Sequence, residues 1–471
     1  MKNKSQSVFN FSRRKFLKAS SFATFGLITS SFVKNVFTRS LGYINGMQIN
    51  PEIDNLRVVA CCDPLMEKSS PLKWDTVTQN SVVDSARVSD TLDKMAKALA
   101  QKTDIWDAWK TIFKKPASKD WQNIRAAIKV NCAGNMHPRA AIIDKICRVL
   151  NTLGVPFSNI IVYDAVDNAI AYYSNFIGTL LPSGIYVSNA TDTFPITVMG
   201  ENLKCTSIIQ DIDILVNIGT NKPHISTWAG ITMCCKNHVG TITRSTPGNN
   251  CPQNLIQLFE INKHEAIIGN LSQDIPAKQQ LCIVDSLWSS TTGDWSSIPN
   301  KAVYYLVMGT FAPAVDYLTT KKIREEIMKC SHPLDINNFI TYFGYSEEER
   351  IDLTTLTPDK NYGRGWVEVP VSGAINNFCS LEKNNIAFKF IIQNKNGKQN
   401  ILDIFFPPND TIIDTYICLA NGRIVKSFGA IKKDRYYWDG CISSNLKLTS
   451  GNYYLILKGK KTSKAFHFNL I

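Results

Sequence analysis

Apolar residues in this chain first form short unbroken runs separated by stretches of helical spacing, and past about residue 385 they alternate with turn residues. Leu56 to Cys62 reads as a short buried strand stopped by Asp63-Pro64. Residues 82–113 keep helical spacing with few breakers, which predicts one or two helices. Ala126 to Val130 predicts a strand, and Asn131 to Arg139 a loop bearing glycine and proline. Ile142, Ile143, Ile146, Val149, Leu150 and Leu153 then share one helical face that stops at Gly154. The next strand is Ile160 to Tyr163, ending at Asp164, and later ones are expected at Ile212–Ile218, Leu281–Val284 and Tyr304–Met308.

Strands alternating with helices predict an α/β domain over residues 55–355, a largely parallel sheet with flanking helices. In such sheets ligands sit beyond the carboxyl ends of the strands. The loops after Val130, Tyr163, Ile218 and Val284 are therefore the expected places for a site. Residues 385–471 read differently, with strand-like runs at 386–392, 401–406, 415–419, 453–458 and 465–470. Asn421-Gly422 between two of them is a strong hairpin signal, so an all-β sandwich is expected there.

The chain has 471 residues, 44% hydrophobic and 19% charged, as expected of a globular protein with two or three domains. Its net charge of +13 suggests nucleic acid at first sight. Eight of those charges lie in the first 50 residues, which contain no acid, and the remaining +5 is too dilute for an electrostatic footprint. No nucleic-acid partner is expected. None of the 13 cysteines forms C-x-x-C, so no ferredoxin-type iron–sulfur motif is present. The odd count and the apolar settings favour buried thiols over a disulfide framework.

The segment Ser12-Arg13-Arg14-Lys15-Phe16-Leu17-Lys18, followed by an apolar run to Val33, resembles a twin-arginine export signal. The resemblance implies that residues 1–40 are an address for the twin-arginine export machinery and that the protein reaches the periplasm or cell envelope. The apolar run is interrupted by Ser20, Ser21, Thr24, Thr29 and Ser30 and is too short to span a bilayer. No small-x-small cleavage site follows it, which leaves cleavage and a retained anchor as alternatives.

Candidate chemistry concentrates in residues 213–240. A buried strand delivers Lys222 and His224 to its carboxyl end, and Lys236, Asn237 and His238 follow within 14 residues. A lone His–Lys pair in a loop is ordinarily solvated surface. The density of such groups after an apolar strand points instead to a site. Lys222, His224, Gly230, Thr232, Lys236, Asn237 and Gly240 resemble the pattern of the domain of unknown function 362 family. Ile128-Lys129-Val130-Asn131, Ile283-Val284-Asp285 and Phe311 to Asp316 resemble its other segments, although Phe311-Ala312 replaces an acidic opening. The likeness covers roughly residues 55–345 and implies a fold and a site rather than a reaction.

A weaker resemblance is to nickel-pincer lactate racemases. Asn135-Met136-His137-Pro138-Arg139 stands at their first histidine loop, and Pro223-His224 with Lys236 twelve residues after that histidine stands at the second. The glycine-rich run between these is missing here. His264 and the strand-end carboxylates Asp164 and Asp285 complete the candidates. Neutral imidazoles suit nickel or zinc, and a desolvated lysine can act as base or nucleophile. The expected catalytic set is therefore His224, Lys236, His137 and Asn237, with Lys222, Thr232 and Asn131 contacting substrate. A divalent metal would fall to His137, His224, His264 and Asp285. Because both loops leave parallel strands, His137, His224 and Lys236 are expected to converge on one pocket.

Near the other end, Asn421 to Val425, Trp438-Asp439-Gly440 and Ser450 to Tyr454 resemble Ig-like domains of the flagellar hook-capping type. Type IX secretion sorting domains are similar, but Phe466-His467-Phe468 lacks their lysine pair. The resemblance implies an accessory domain for cell-envelope attachment. The leading expectation is an exported, cofactor- or metal-assisted enzyme acting on a small anionic substrate at a Lys/His site. The alternative is a non-catalytic envelope protein that binds such a ligand.

Overall fold

Eight strands form one sheet in the computed structural model. They are β1 (Arg57–Cys62), β2 (Ala126–Lys129), β3 (Ile160–Tyr163), β4 (Tyr186–Ser188), β5 (Ile214–Thr220), β6 (Gln279–Ser289), β7 (Lys301–Gly309) and β8 (Gly365–Glu368). The structure describes residues 48–355 except 70, 165–168, 225–228, 243–253, 270–275 and 333, then residues 363–370 and the strands between 390 and 470. The expected export segment and the Asn421-Gly422 turn lie outside the described residues.

The strand order is β8-β1-β7-β6-β5-β2-β3-β4. Every neighbour pair is parallel except those made by β7, which opposes both β6 and β1. The expectation of a largely parallel sheet therefore holds, with one reversal. Only residues 290–300 join β6 to β7, too few for the crossover that a parallel pair needs.

Residues in β2 and β5 alternate between two cores. Ile128, Ile214, Val216 and Ile218 pack with helices α1 (Ser85–Ala100) and α2 (Ala140–Leu153) on one face. Ala127 and Leu215 pack on the other with α3 (Cys234–Asn237), α4 (Leu255–Lys263) and α5 (Ala312–Thr319). Burial on both faces explains why these strands read as continuous apolar runs. Asp84 caps α1 by accepting from Arg87 N at 3.0 Å. Gly154 ends α2 at φ +114°, a conformation that favours glycine, and a Cβ there would meet Trp121 at 2.8 Å.

The domain also extends past residue 355. Gly365–Glu368 pairs in parallel with Arg57–Ala60, and Val369 N donates to Ala60 O at 2.7 Å. Only four residues long and carrying a glycine, this edge strand gives little pattern to read. Beyond it, every element described from 390 onward is a strand, in antiparallel sheets of three, four and two. Ile412–Leu419 and Ile424–Ser427 pair antiparallel on either side of the expected turn. Among the described residues, no helix is long and apolar enough to cross a membrane.

Arg57 ties the edge together. Its guanidinium donates from Nε and Nη2 to Ala98 O at 3.1 and 2.8 Å, near the end of α1, and from Nη1 to Gly363 O at 2.5 Å. Arg57→Met should take the guanidinium donors from both carbonyls, leaving Ala98 O only its contact with Gln101 N, and destabilise the protein by about 1–3 kcal/mol in urea unfolding. A loss below about 0.5 kcal/mol would mean that water replaces the guanidinium there.

Candidate functional site

From β2 the chain moves outward to β3 and β4, whereas β5 and β6 lie on β2's other side. The crevice between the carboxyl ends of β2 and β5 is thus the topological switch point of the sheet. Lys129 of β2 and Asn217 of β5 are register partners, and alternation turns both toward α3. The Lys129 ammonium is fully buried. It stands 3.1 Å from Asp164 Oδ1 and donates to Asn237 Oδ1 at 2.8 Å and Val130 O at 2.5 Å. Asp164 Oδ2 accepts from Cys132 N at 2.8 Å.

The one-turn helix α3 is held in place by its surroundings. Asp316, fully buried in α5, accepts from Cys234 N at 2.9 Å and Cys235 N at 2.7 Å. Burial pushes the Asp316 carboxyl up to about 7, against the pull of those two donors. Gly219 gives α3 room to approach, since a Cβ there would lie 2.8 Å from Met233 C. Gly240 does the same past the other end of the helix. A Cβ at that position would lie 2.2 Å from Asp164 Oδ1 and 2.7 Å from Lys129 Nζ.

A buried polar chain fixes Asn237 from behind. Its Nδ2 donates to Asn217 Oδ1 at 2.8 Å, and Asn217 Nδ2 donates to Gln279 Oε1 at 3.1 Å. His238 Nε2 lies 2.6 Å from the same Gln279 oxygen and 3.0 Å from Asn217 Nδ2, so the ring is held in this chain. Its Nδ1 lies 3.1 Å from the Thr241 hydroxyl, and burial pushes His238 down to about 4, keeping it neutral. His238 therefore braces the site rather than serving it.

Above Lys129 opens a cavity of about 180 Å³ whose wall includes Asn131, Asp164, His224, Thr232, Lys236, Asn237, Val239 and Trp295. Thr232 is 4% exposed and its hydroxyl has no hydrogen-bond partner among the described residues. Lys236 and His224 are half-buried. Burial, then the neighbouring Lys236, push the His224 imidazole down to about 4 against the pull of Asp294. It is therefore neutral at pH 7 and able to accept a proton. Lys222 is paired with Thr232 in the two-residue hairpin Lys222–Pro223/Ile231–Thr232. Lys222 does not itself line the cavity, but its ammonium donates to two residues that do, to Asn131 Oδ1 at 2.5 Å and to Ala133 O.

The structure thus gathers His224, Lys236, Asn237, Thr232 and Asn131 around one cavity, with Lys222 behind Asn131. The expected convergence of His137 with them is corrected, because His137 is not in the cavity wall. It is 3% exposed, packs on Tyr172 with ring centroids 4.0 Å apart, and has no hydrogen-bond partner on either ring nitrogen among the described residues. Burial, Lys222 and Arg139 together hold it well below the usual histidine range.

The expected metal set is corrected too. Asp285 is committed to Arg139, accepting from its Nε at 3.0 Å and its backbone N at 2.8 Å. His264 caps the turn Glu265–Ile268 by accepting from Ala266 N at 3.1 Å. Among the described residues, no three His, Cys, Asp or Glu side chains are grouped to hold a metal ion.

Lys129 and Trp295 are site residues that the sequence reading did not select. A lysine closing the apolar run Ala126-Ala127-Ile128 was the available signal for the first, whereas Trp295 sits in a polar loop without periodicity. No protein-family model matches the chain, and no curated protein matches it in sequence.

Burial pushes the Lys222 ammonium down to about 7. Between that value and the ordinary lysine value near 10.5, the unfolded chain binds a proton that the folded chain does not. Stability therefore rises with pH from about 7 to about 10 through this group. Lys222→Met should flatten that rise in urea unfolding followed across the window. An unchanged slope would mean that Lys222 keeps its proton.

Proposed function

We propose that this protein is an exported enzyme that holds a small anionic substrate in the switch-point cavity and moves a proton with His224. The observation that carries this reading is the Thr232 hydroxyl, buried in the wall of the cavity that Lys236 also lines and without a hydrogen-bond partner among the described residues. A hydroxyl left so costs about 1–3 kcal/mol, and a ligand oxygen would recover it. Lys236 supplies the charge. His224, kept neutral by burial and by that lysine, is the general base. Asn131 and Asn237 hold Lys222 and Lys129 through their side-chain oxygens and so shape the wall.

This donor set favours acid–base chemistry by side chains over the metal-assisted version. The placement of Lys129, Lys222, His224, Thr232, Lys236, Asn237 and Gly240 in and around one crevice supports the likeness to the domain of unknown function 362 family. The resemblance to lactate racemases loses support, because His137 and His224 do not share the cavity.

We extend the proposal to the ends of the chain. Arg13 and Arg14 direct export to the periplasm or envelope, and the strands after residue 390 form an Ig-like sandwich for envelope attachment. A non-catalytic binding protein would use the same cationic wall. It differs in showing no turnover and no loss of function in His224→Gln beyond weaker binding.

Thr232→Val should stabilise the unliganded protein by about 1 kcal/mol, since it removes an unmet buried hydroxyl without changing shape. The same change should weaken binding of small carboxylates, measured by calorimetry, by about tenfold. Lys236→Met should abolish that binding. A Thr232→Val protein that binds as tightly as the parent would overturn the reading.

Replacing Arg13 and Arg14 by lysine should retain the protein in the cytoplasm, as read by cell fractionation. Normal envelope levels would refute this export route.

A further inference from the structure

His224 and Thr232 reach the cavity from the hairpin Lys222–Pro223/Ile231–Thr232, and Trp295 reaches it from the return through residues 290–300. A hairpin with two residues to a strand is too short to fix itself. Its turn also holds Ala229 at φ +55°, a conformation costly for a residue with a side chain. Both loops meet Arg324, which is 1% exposed and lies in a π-helical turn, Thr320–Glu325, that continues α5. Such turns are rare and frequently fall at functional positions. Arg324 Nη1 donates to Asn221 Oδ1 at 3.0 Å, immediately before the hairpin. It also donates to Ser290 O at 3.2 Å and Ser289 Oγ at 3.3 Å, where the other loop begins. Nη2 lies 3.8 Å from Cys330 Sγ, which in turn donates to Thr291 O at 3.5 Å. Nε donates to His332 Nε2 at 3.1 Å, and His332 is hydrogen-bonded to the backbone of Ala229 in the hairpin turn.

None of these partners is a carboxylate. A guanidinium out of water is costly, and it persists here only while its planar fork meets acceptors held at fixed places. Moving either loop would withdraw acceptors from a buried charge, so the one cation constrains both. Resting on the small-anion reading above for its ligand, we propose that Arg324 is a positioning residue, which fixes the hairpin bearing His224 and Thr232 against the loop bearing Trp295 and so sets the cavity's fit to its anion. Lysine cannot replace it, since an ammonium on a flexible stem does not span acceptors from both loops and His332 at once. His332 carries the hold to the hairpin alone.

Hydrogen exchange, histidine titration and calorimetry on the full chain test this. Two amides report on the loops: His224 N, which donates to Gly230 O, and Asn300 N, which donates to Ser289 O. In Arg324→Lys both should exchange about tenfold or more faster, while amides in the middle of α1 and α2 keep the parental rates. His332→Phe should speed His224 and leave Asn300 unchanged. The His224 imidazole, pushed down to about 4 by burial and then by Lys236, should titrate closer to 6.5 by NMR in Arg324→Lys, as water enters. Propanoate should bind Arg324→Lys about tenfold more weakly than the parent. Parental exchange at both loop amides would overturn the role of Arg324, and so would acceleration shared equally by α1 and α2. Parental affinity in a variant whose loops have loosened would overturn the link to the ligand. If propanoate does not bind the parent protein, the small-anion reading fails, and the exchange rates still decide whether Arg324 holds the loops. Should Arg324→Lys not fold, His332→Phe decides through His224 against Asn300.

Discussion

The buried ammonium of Lys129 is the constraint around which the site is arranged. Taking an ion of this size out of water costs several kcal/mol even after relaxation, so it persists only where partners surround it. Its partners come from three elements: Asp164 at the end of β3, Asn237 in α3, and the Val130 carbonyl just beyond β2. Each partner places a further demand on its neighbours. Asn237 must face Lys129, so Asn217 occupies an otherwise apolar strand to hold it. Asp164 and Lys129 leave no space for a side chain at position 240, so a glycine stands there.

The same logic explains the instability built into α3. A helix of four residues cannot persist by its own hydrogen bonds, because nucleation outweighs so few of them. Asp316 meets its first two amide donors, and Gly219 lets it settle against β5. Lys236 and Asn237 are therefore positioned by tertiary contacts. Preorganisation of this kind is what a catalytic or discriminating site requires.

Legibility from the sequence follows the same divide. The strands of β2, β3, β5 and β6 and the face of α2 were plain, because burial on both sides of a parallel sheet leaves continuous apolar runs. Their carboxyl ends located the crevice before any contact was known. Tyr186–Ser188 and Gly365–Glu368 escaped because three or four residues at a sheet edge carry too little pattern. His137, His264 and Asp285 misled for another reason. Residue type announces what a side chain can do, whereas its commitments are set in three dimensions: Asp285 to Arg139, His264 to a turn, His137 to Tyr172. Lys129 was visible in the sequence, but its importance depends on Asp164, 35 residues away and one strand over.

The antiparallel strand β7 also bears on the site. A crossover after β6 would carry the chain away over one face of the sheet. The short return through residues 290–300 instead keeps Trp295 at the carboxyl end of β6, beside the loop that follows β2. Gly134 records how closely those loops approach. It lies at φ +77°, and a Cβ would fall 2.3 Å from the Trp295 carbonyl oxygen. The sheet's one reversal thus brings an aromatic residue to the cavity that Lys129 and Lys236 also line. A polar crevice open to solvent would leave those cations hydrated, and water would screen whatever charge they present to a ligand.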